Sequence, residues 1–105
     1  MLAPILFSED YPKLHEPKFT TIRRHDKGYE KTQVRPVTLK EKGFIGKVLI
    51  KFKHFKTLPE IDTQFLLRDT GRPTRDAAIA LLNSFYKTPI LETEELCILG
   101  LEWIN

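Results

Sequence analysis

Between Glu16 and Arg24 the chain reads Glu-Pro-Lys-Phe-Thr-Thr-Ile-Arg-Arg. A lysine at 18, a threonine at 21 and an arginine at 23 stand at the mouth of a β-branched run. These residue types carry a definite chemistry. A lysine whose pKa is lowered by desolvation can take the proton of a threonine hydroxyl, and that hydroxyl can then attack an amide carbonyl. An arginine close by can hold a phosphate or the negative charge that develops on the carbonyl oxygen. The same residues are equally at home as an ordinary half-buried strand with charged ends, and the elements around them decide how they are placed.

Ile5 to Phe7 predicts a short strand. Ser8-Glu9-Asp10 offers a helix N-cap and an acidic first turn, with Tyr11, Leu14 and His15 at helical spacing before Pro17. Phe19 to Arg24 predicts a second strand, ended by the turn-forming His25-Asp26-Lys27-Gly28. Val34 to Leu39 predicts a third, and Pro36 within it argues for an edge position. From Phe44 to Phe55, Phe44, Val48, Ile50 and Phe52 share one parity and Lys47, Lys51 and Lys53 the other. That alternation predicts one buried face and one lysine ladder, suited to a nucleic-acid backbone or to protecting a sheet edge.

Thr57-Leu58-Pro59-Glu60 matches a capping box and predicts a helix that turns Ile61, Phe65 and Leu66 inward. Asp69-Thr70-Gly71 breaks it. A second helix is predicted near Thr74, with Ala78, Ile79, Leu82, Phe85 and Tyr86 as its apolar stripe. Leu96 to Ile104 is apolar on both parities except Glu102, as a central strand must be. The order β–α–β–β–β–α–α–β predicts a single α+β domain over residues 1–105, built on a small curved sheet or barrel.

With these elements in place, Lys18, Thr21 and Arg23 fall on the pattern of the ASCH family, small domains related to the PUA fold of RNA-modifying proteins. The family pattern is glycine, any residue, lysine, two residues, an acid or threonine, any residue, arginine. Glu16 stands where the family has glycine, and Thr32-Gln33 where members often have Gly-Asp. The resemblance in element order covers most of the chain. It implies a PUA-like barrel or pseudo-barrel, flanked by two or three helices, whose cleft receives RNA or a modified nucleoside. A bacterial branch of the family resembles a set of amidohydrolases that remove acetyl from acetylated cytidine with a lysine, a threonine and a glutamate. By position these imply Lys18, Thr21 and Asp69 as catalytic candidates. Arg23, Arg24, Lys47, Lys51 and Lys53 are the candidate phosphate contacts, and Tyr29 a candidate stacking platform.

Asp69-Thr70-Gly71 is also the active-site triplet of aspartic proteases. Here it sits two-thirds along the chain, between helix-like segments and followed by Arg72, which favours a helix stop with Gly71 at positive φ. A further reading is a protein-interaction module whose lysine face meets an acidic partner.

Composition sets the outer bounds. The 105 residues carry 17 Lys/Arg against 14 Asp/Glu, a net +3. The charge is uneven: residues 1–56 hold 13 basic and 6 acidic residues (+7), residues 57–105 hold 4 and 8 (−4). A basic half offers a positive face to anions. No apolar run approaches the ~20 residues of a membrane helix, and the N-terminus lacks the basic region of a secretory signal. Cys97 is the single cysteine, and His15, His25 and His54 lack ligand spacing. The expectation is therefore a cytoplasmic protein without metal or cofactor. Two Asn, two Gln, one Cys and one Met in so charged a chain fit a thermophile.

Overall fold

The computed structural model describes residues 2–104. Five strands form one curled, half-barrel sheet: β1 (Ile5–Phe7), β2 (Lys18–Arg23), β3 (Val34–Leu39), β4 (Gly43–Lys56) and β5 (Leu96–Ile104). Two helices, α1 (Thr63–Thr70) and α2 (Arg75–Ser84), lie between β4 and β5 in the chain. The strand order is β1-β3-β4-β5-β2, so the first two strands of the chain become the two edges. Among the described residues only β1–β3 is a parallel pair. This is the α+β architecture expected, a small pseudo-barrel flanked by helices.

Alternation along β5 builds the core on both sheet faces. Cys97, Leu99 and Leu101 join Phe7, Phe19, Tyr29, Val48 and Ile50 inside the curl. Leu96 and Ile98 face the other way, onto Ile22, Leu66, Ala78 and Leu82 under the helices. A strand buried on both sides needs apolar residues at both parities, as the sequence of β5 supplies. Gly100 interrupts the series because the Phe52 ring lies where a Cβ would stand, 2.0 Å from that position.

Burial raises the Cys97 thiol from 9.0 to about 11. A raised thiol pKa contributes stability that is complete below pH 9.0 and lost as pH climbs from 9.0 to about 11. Cys97→Val should flatten that part of the stability–pH curve, measured by denaturant titration against the parent protein.

Three local expectations need correction. The Ser8–His15 helix is one 3₁₀ turn, Pro12–His15, with no side chain capping it; Pro12 and Pro17 leave room for no more. The Thr57–Glu60 box exists, with the Glu60 carboxylate accepting from the Thr57 N–H (2.8 Å) and hydroxyl (2.9 Å). It closes only a 3₁₀ turn, and α1 starts afresh when Asp62 accepts from the Phe65 N–H. Pro36 is not on an outer strand, since β3 pairs with both β1 and β4. It lies one residue before Val37 meets Ile5, at the last position where that side of β3 is uncovered.

The lysine ladder is broken by a bulge. Ile50 pairs with Leu101 but Phe52 with Gly100, so Lys51 is the extra residue and parity inverts beyond it. Phe52 consequently packs under the helices, and Lys53 turns to bond Asp26 and the Tyr29 carbonyl.

Gly71 ends α1 at φ 70°, as its position after Asp69-Thr70 predicts. Thr32 is the one described non-glycine residue with positive φ, at 75°. A β-branched side chain is strained there. Thr32→Gly should stabilise the protein by about 1 kcal/mol, readable as a rise in denaturation midpoint; a loss of stability would show that the threonine side chain does more than tolerate the turn.

Candidate functional site

Because the half-barrel does not close, β1 and β2 leave a seam, and a cleft of about 440 Å³ opens along it. Leu6 and Phe7 of β1 line one side and Thr21, Ile22 and Arg23 of β2 the other; Asp69 from α1 and Leu82, Phe85 and Tyr86 from and just beyond α2 complete the wall. Most of this lining is apolar, so the few polar groups set orientation and specificity.

The free edge of β2 supplies backbone groups. The Trp103 N–H donates to the Pro17 carbonyl (3.0 Å), which fixes the odd-numbered residues of β2 as those hydrogen-bonded to β5. The even-numbered residues turn their N–H and C=O outward. Lys13 Nζ donates to the Thr20 carbonyl (2.7 Å), and the Arg24 N–H donates to the Tyr86 hydroxyl (3.0 Å). Between them, the N–H and C=O of Ile22 have no partner among the described residues and border the cleft.

Asp69 sits at the end of α1 and is buried, with 5 % of its surface exposed. Its Oδ1 accepts from the Thr20 hydroxyl (2.6 Å) and from Lys13 Nζ (3.3 Å). Burial lowers the Lys13 pKa; the Asp69 charge opposes this and the nearby Arg23 charge adds to it. Thr21 is buried on the opposite parity, and its Oγ1 accepts from Arg23 Nε (2.9 Å), which leaves its hydroxyl proton free to donate. The Arg23 guanidinium lies 4.6 Å from the Phe7 ring centroid, and burial lowers its pKa.

The structure therefore gathers Thr21, Arg23 and Asp69 around one cleft but not Lys18. Lys18 is the first residue of β2, so its side chain falls on the parity opposite to Thr21; it points to solvent and lies 3.7 Å from Glu102. A turn at Lys18 would have brought it round, but the strand has already begun. The lysine beside Asp69 is Lys13, from the 3₁₀ turn. Read as part of a longer helix, Lys13 falls on the polar face, and no spacing in the sequence marks it.

The other candidates fall elsewhere. Arg24 ties the segment after α2 to β2, donating to Glu94 (2.6 and 3.0 Å) and to carbonyls of Thr88 and Pro89. Lys53 is held by Asp26 at 2.7 Å. Tyr29 is core, 2 % exposed, beneath the Arg35 guanidinium. Lys47 is exposed on β4, and Lys51 lies 3.9 Å from Glu102, beside a second depression that also includes Lys18 and Arg68. No helix among the described residues is long and apolar enough to cross a membrane.

Comparison with known proteins finds no matching family model, no matching curated protein and no matching solved structure.

Proposed function

We propose that the seam cleft binds a nucleobase, presented either by a modified nucleoside or by RNA. The observation that carries this reading is the unpaired N–H and C=O of Ile22 on the β2 edge, with Asp69 and Arg23 among the neighbouring wall groups. A planar heterocycle with adjacent donors and acceptors pairs with such an edge as a neighbouring strand would. Phe7, Tyr11, Phe85 and Tyr86 supply aromatic surface for its faces. The cleft volume lies within the range of small-molecule sites. The excess of positive charge in the N-terminal half agrees with an RNA or nucleotide partner.

Calorimetric titration with cytidine, acetylated cytidine, uridine and short single-stranded RNA tests this. Saturable binding of at least one of them is expected, weakened at least tenfold by Asp69→Asn. No binding by any of the four contradicts it.

The burial of Lys13 on the wall it shares with Thr21, which lowers its pKa, favours a second reading, an amidohydrolase at the same site. In its deprotonated form Lys13 would take the Thr21 proton while Thr21 Oγ1 bonds to the acyl carbon. Arg23 would face the developing oxyanion, and the amine would leave with the proton. Water would then cleave the threonyl ester and release the acid. Release of cytidine and acetate from acetylated cytidine, abolished by Lys13→Met and Thr21→Val but retained in Lys18→Met, separates this reading from binding alone.

A further inference from the structure

We propose that the ligand of the seam cleft carries a phosphate group, held by the terminal nitrogens of Arg23 with Lys27 and Lys40 adding positive charge on the same walls. This rests on the nucleobase reading and narrows it, because a neutral nucleoside leaves these three cations without a counterpart.

Charge is the first argument. The walls carry four cations, Lys13, Arg23, Lys27 and Lys40, against one carboxylate, Asp69. Lys13 is 3.3 Å from Asp69 and offsets it. Of the three positive charges that remain, the half-buried Arg23 guanidinium lies within a largely apolar cleft, where an anion is attracted more strongly than at an open surface, and Lys27 and Lys40 are exposed at its margin.

The bonding state of Arg23 points the same way. Arg24, Arg35 and Arg75 each have both terminal nitrogens hydrogen-bonded to the protein. Arg23 differs: only its Nε is engaged, by Thr21, and neither terminal nitrogen has a partner among the described residues. Its guanidinium is nonetheless held in place, with Nε anchored and the Phe7 ring 4.6 Å away. An anchored guanidinium that lines the cleft with both terminal nitrogens unpaired can take two phosphate oxygens at once.

The supporting lysines are placed by backbone contacts rather than by ion pairs. The Lys40 N–H donates to the Phe7 carbonyl (3.0 Å), and the Lys27 carbonyl accepts from Arg35 (3.2 Å). Neither ammonium group is in an ion pair among the described residues.

A terminal phosphate of a mononucleotide and an internal phosphodiester of RNA present the same oxygens, and titration distinguishes them. Cytidine, its 5′- and 3′-monophosphates, inorganic phosphate and a short oligocytidine RNA are titrated into the full chain, into Arg23→Met and into Lys27→Ala/Lys40→Ala. The expected result is at least tenfold tighter binding of a phosphorylated ligand than of cytidine, reduced to under threefold in Arg23→Met. The double lysine variant changes exposed side chains only. It should weaken the phosphorylated ligand several-fold, leave cytidine unaffected and flatten the salt dependence, so the test survives if Arg23→Met does not fold. An advantage confined to the oligonucleotide supports the proposal with an internal phosphodiester as source. Equal affinity for cytidine and all phosphorylated forms overturns the proposal and leaves the nucleobase reading standing. Arg23-dependent binding of inorganic phosphate without binding of any nucleoside or nucleotide supports the anion subsite and overturns the nucleobase reading. No binding by any probe overturns both.

Discussion

Replacing Asp69 with alanine is expected to cost about 2 to 4 kcal/mol of stability, from the usual penalty for removing one partner of a buried ion pair. The range sits slightly below that of a fully enclosed pair, because the Lys13 side chain retains 14 % exposure and can turn partly to water. Without the carboxylate, the Thr20 hydroxyl and the Lys13 ammonium lose their common acceptor. Asp69→Asn keeps an oxygen for Thr20 but removes the charge, so its stability loss should be smaller while its loss of ligand affinity stays as large. A Lys13→Met/Asp69→Ala double variant should lose less than the sum of the singles, since no charge is then stranded. Denaturant melts of the four proteins check this. Strict additivity would mean that Lys13 and Asp69 do not act as a pair.

The second large effect is structural. Arg35→Ala is expected to cost about 3 to 5 kcal/mol, from several lost hydrogen bonds to a charged donor and the void left behind, lowering the melting midpoint by about 15 °C or more for a domain of this size. Arg35 is 1 % exposed. It donates to the Gln33 side chain and to the carbonyls of Ala3, Lys27 and Gly28. Its charge lies 4.7 Å from the centroid of the Tyr29 ring, and no carboxylate pairs with it among the described residues. Truncation leaves these acceptors without their donor and opens a void above Tyr29. The loop that carries Lys27 should loosen with it, visible as faster amide exchange from Lys27 to Tyr29. A loss under 1 kcal/mol would show that water replaces the guanidinium without penalty.

Strand existence was legible wherever burial is two-sided or strictly alternating. Leu96–Ile104 has no polar parity to hide, and its central place in the sheet follows. The stripe from Ala78 to Leu82 likewise placed α2, and Gly71 its predecessor's end. What escaped were features decided by a neighbour rather than by a period. The bulge at Lys51 is set by the pairing of β4 with Gly100, and it sends Lys53 to Asp26 instead of outward. Thr21, Arg23 and Asp69 stood out in the sequence by residue type and line one cleft in the structure. The lysine that meets Asp69 did not stand out, because Lys13 is brought to Asp69, 56 residues away, by the packing of a proline-bounded turn against the β2 edge. Arg24 and Arg35 show the same limit from the other side. Their committed bonds to Glu94 and to loop carbonyls distinguish them from Arg23 only once the chain is folded.

Residue-resolved NMR of the labelled protein, titrated with cytidine and with cytidine 5′-monophosphate, reads ligand binding at the seam directly. Saturable shift changes confined to the seam are expected, with the Ile22 amide moving most and Phe7, Thr21, Arg23 and Tyr86 moving with it. Shifts confined to Lys18, Lys51 and the exposed face of β4, or none at any concentration, would contradict it.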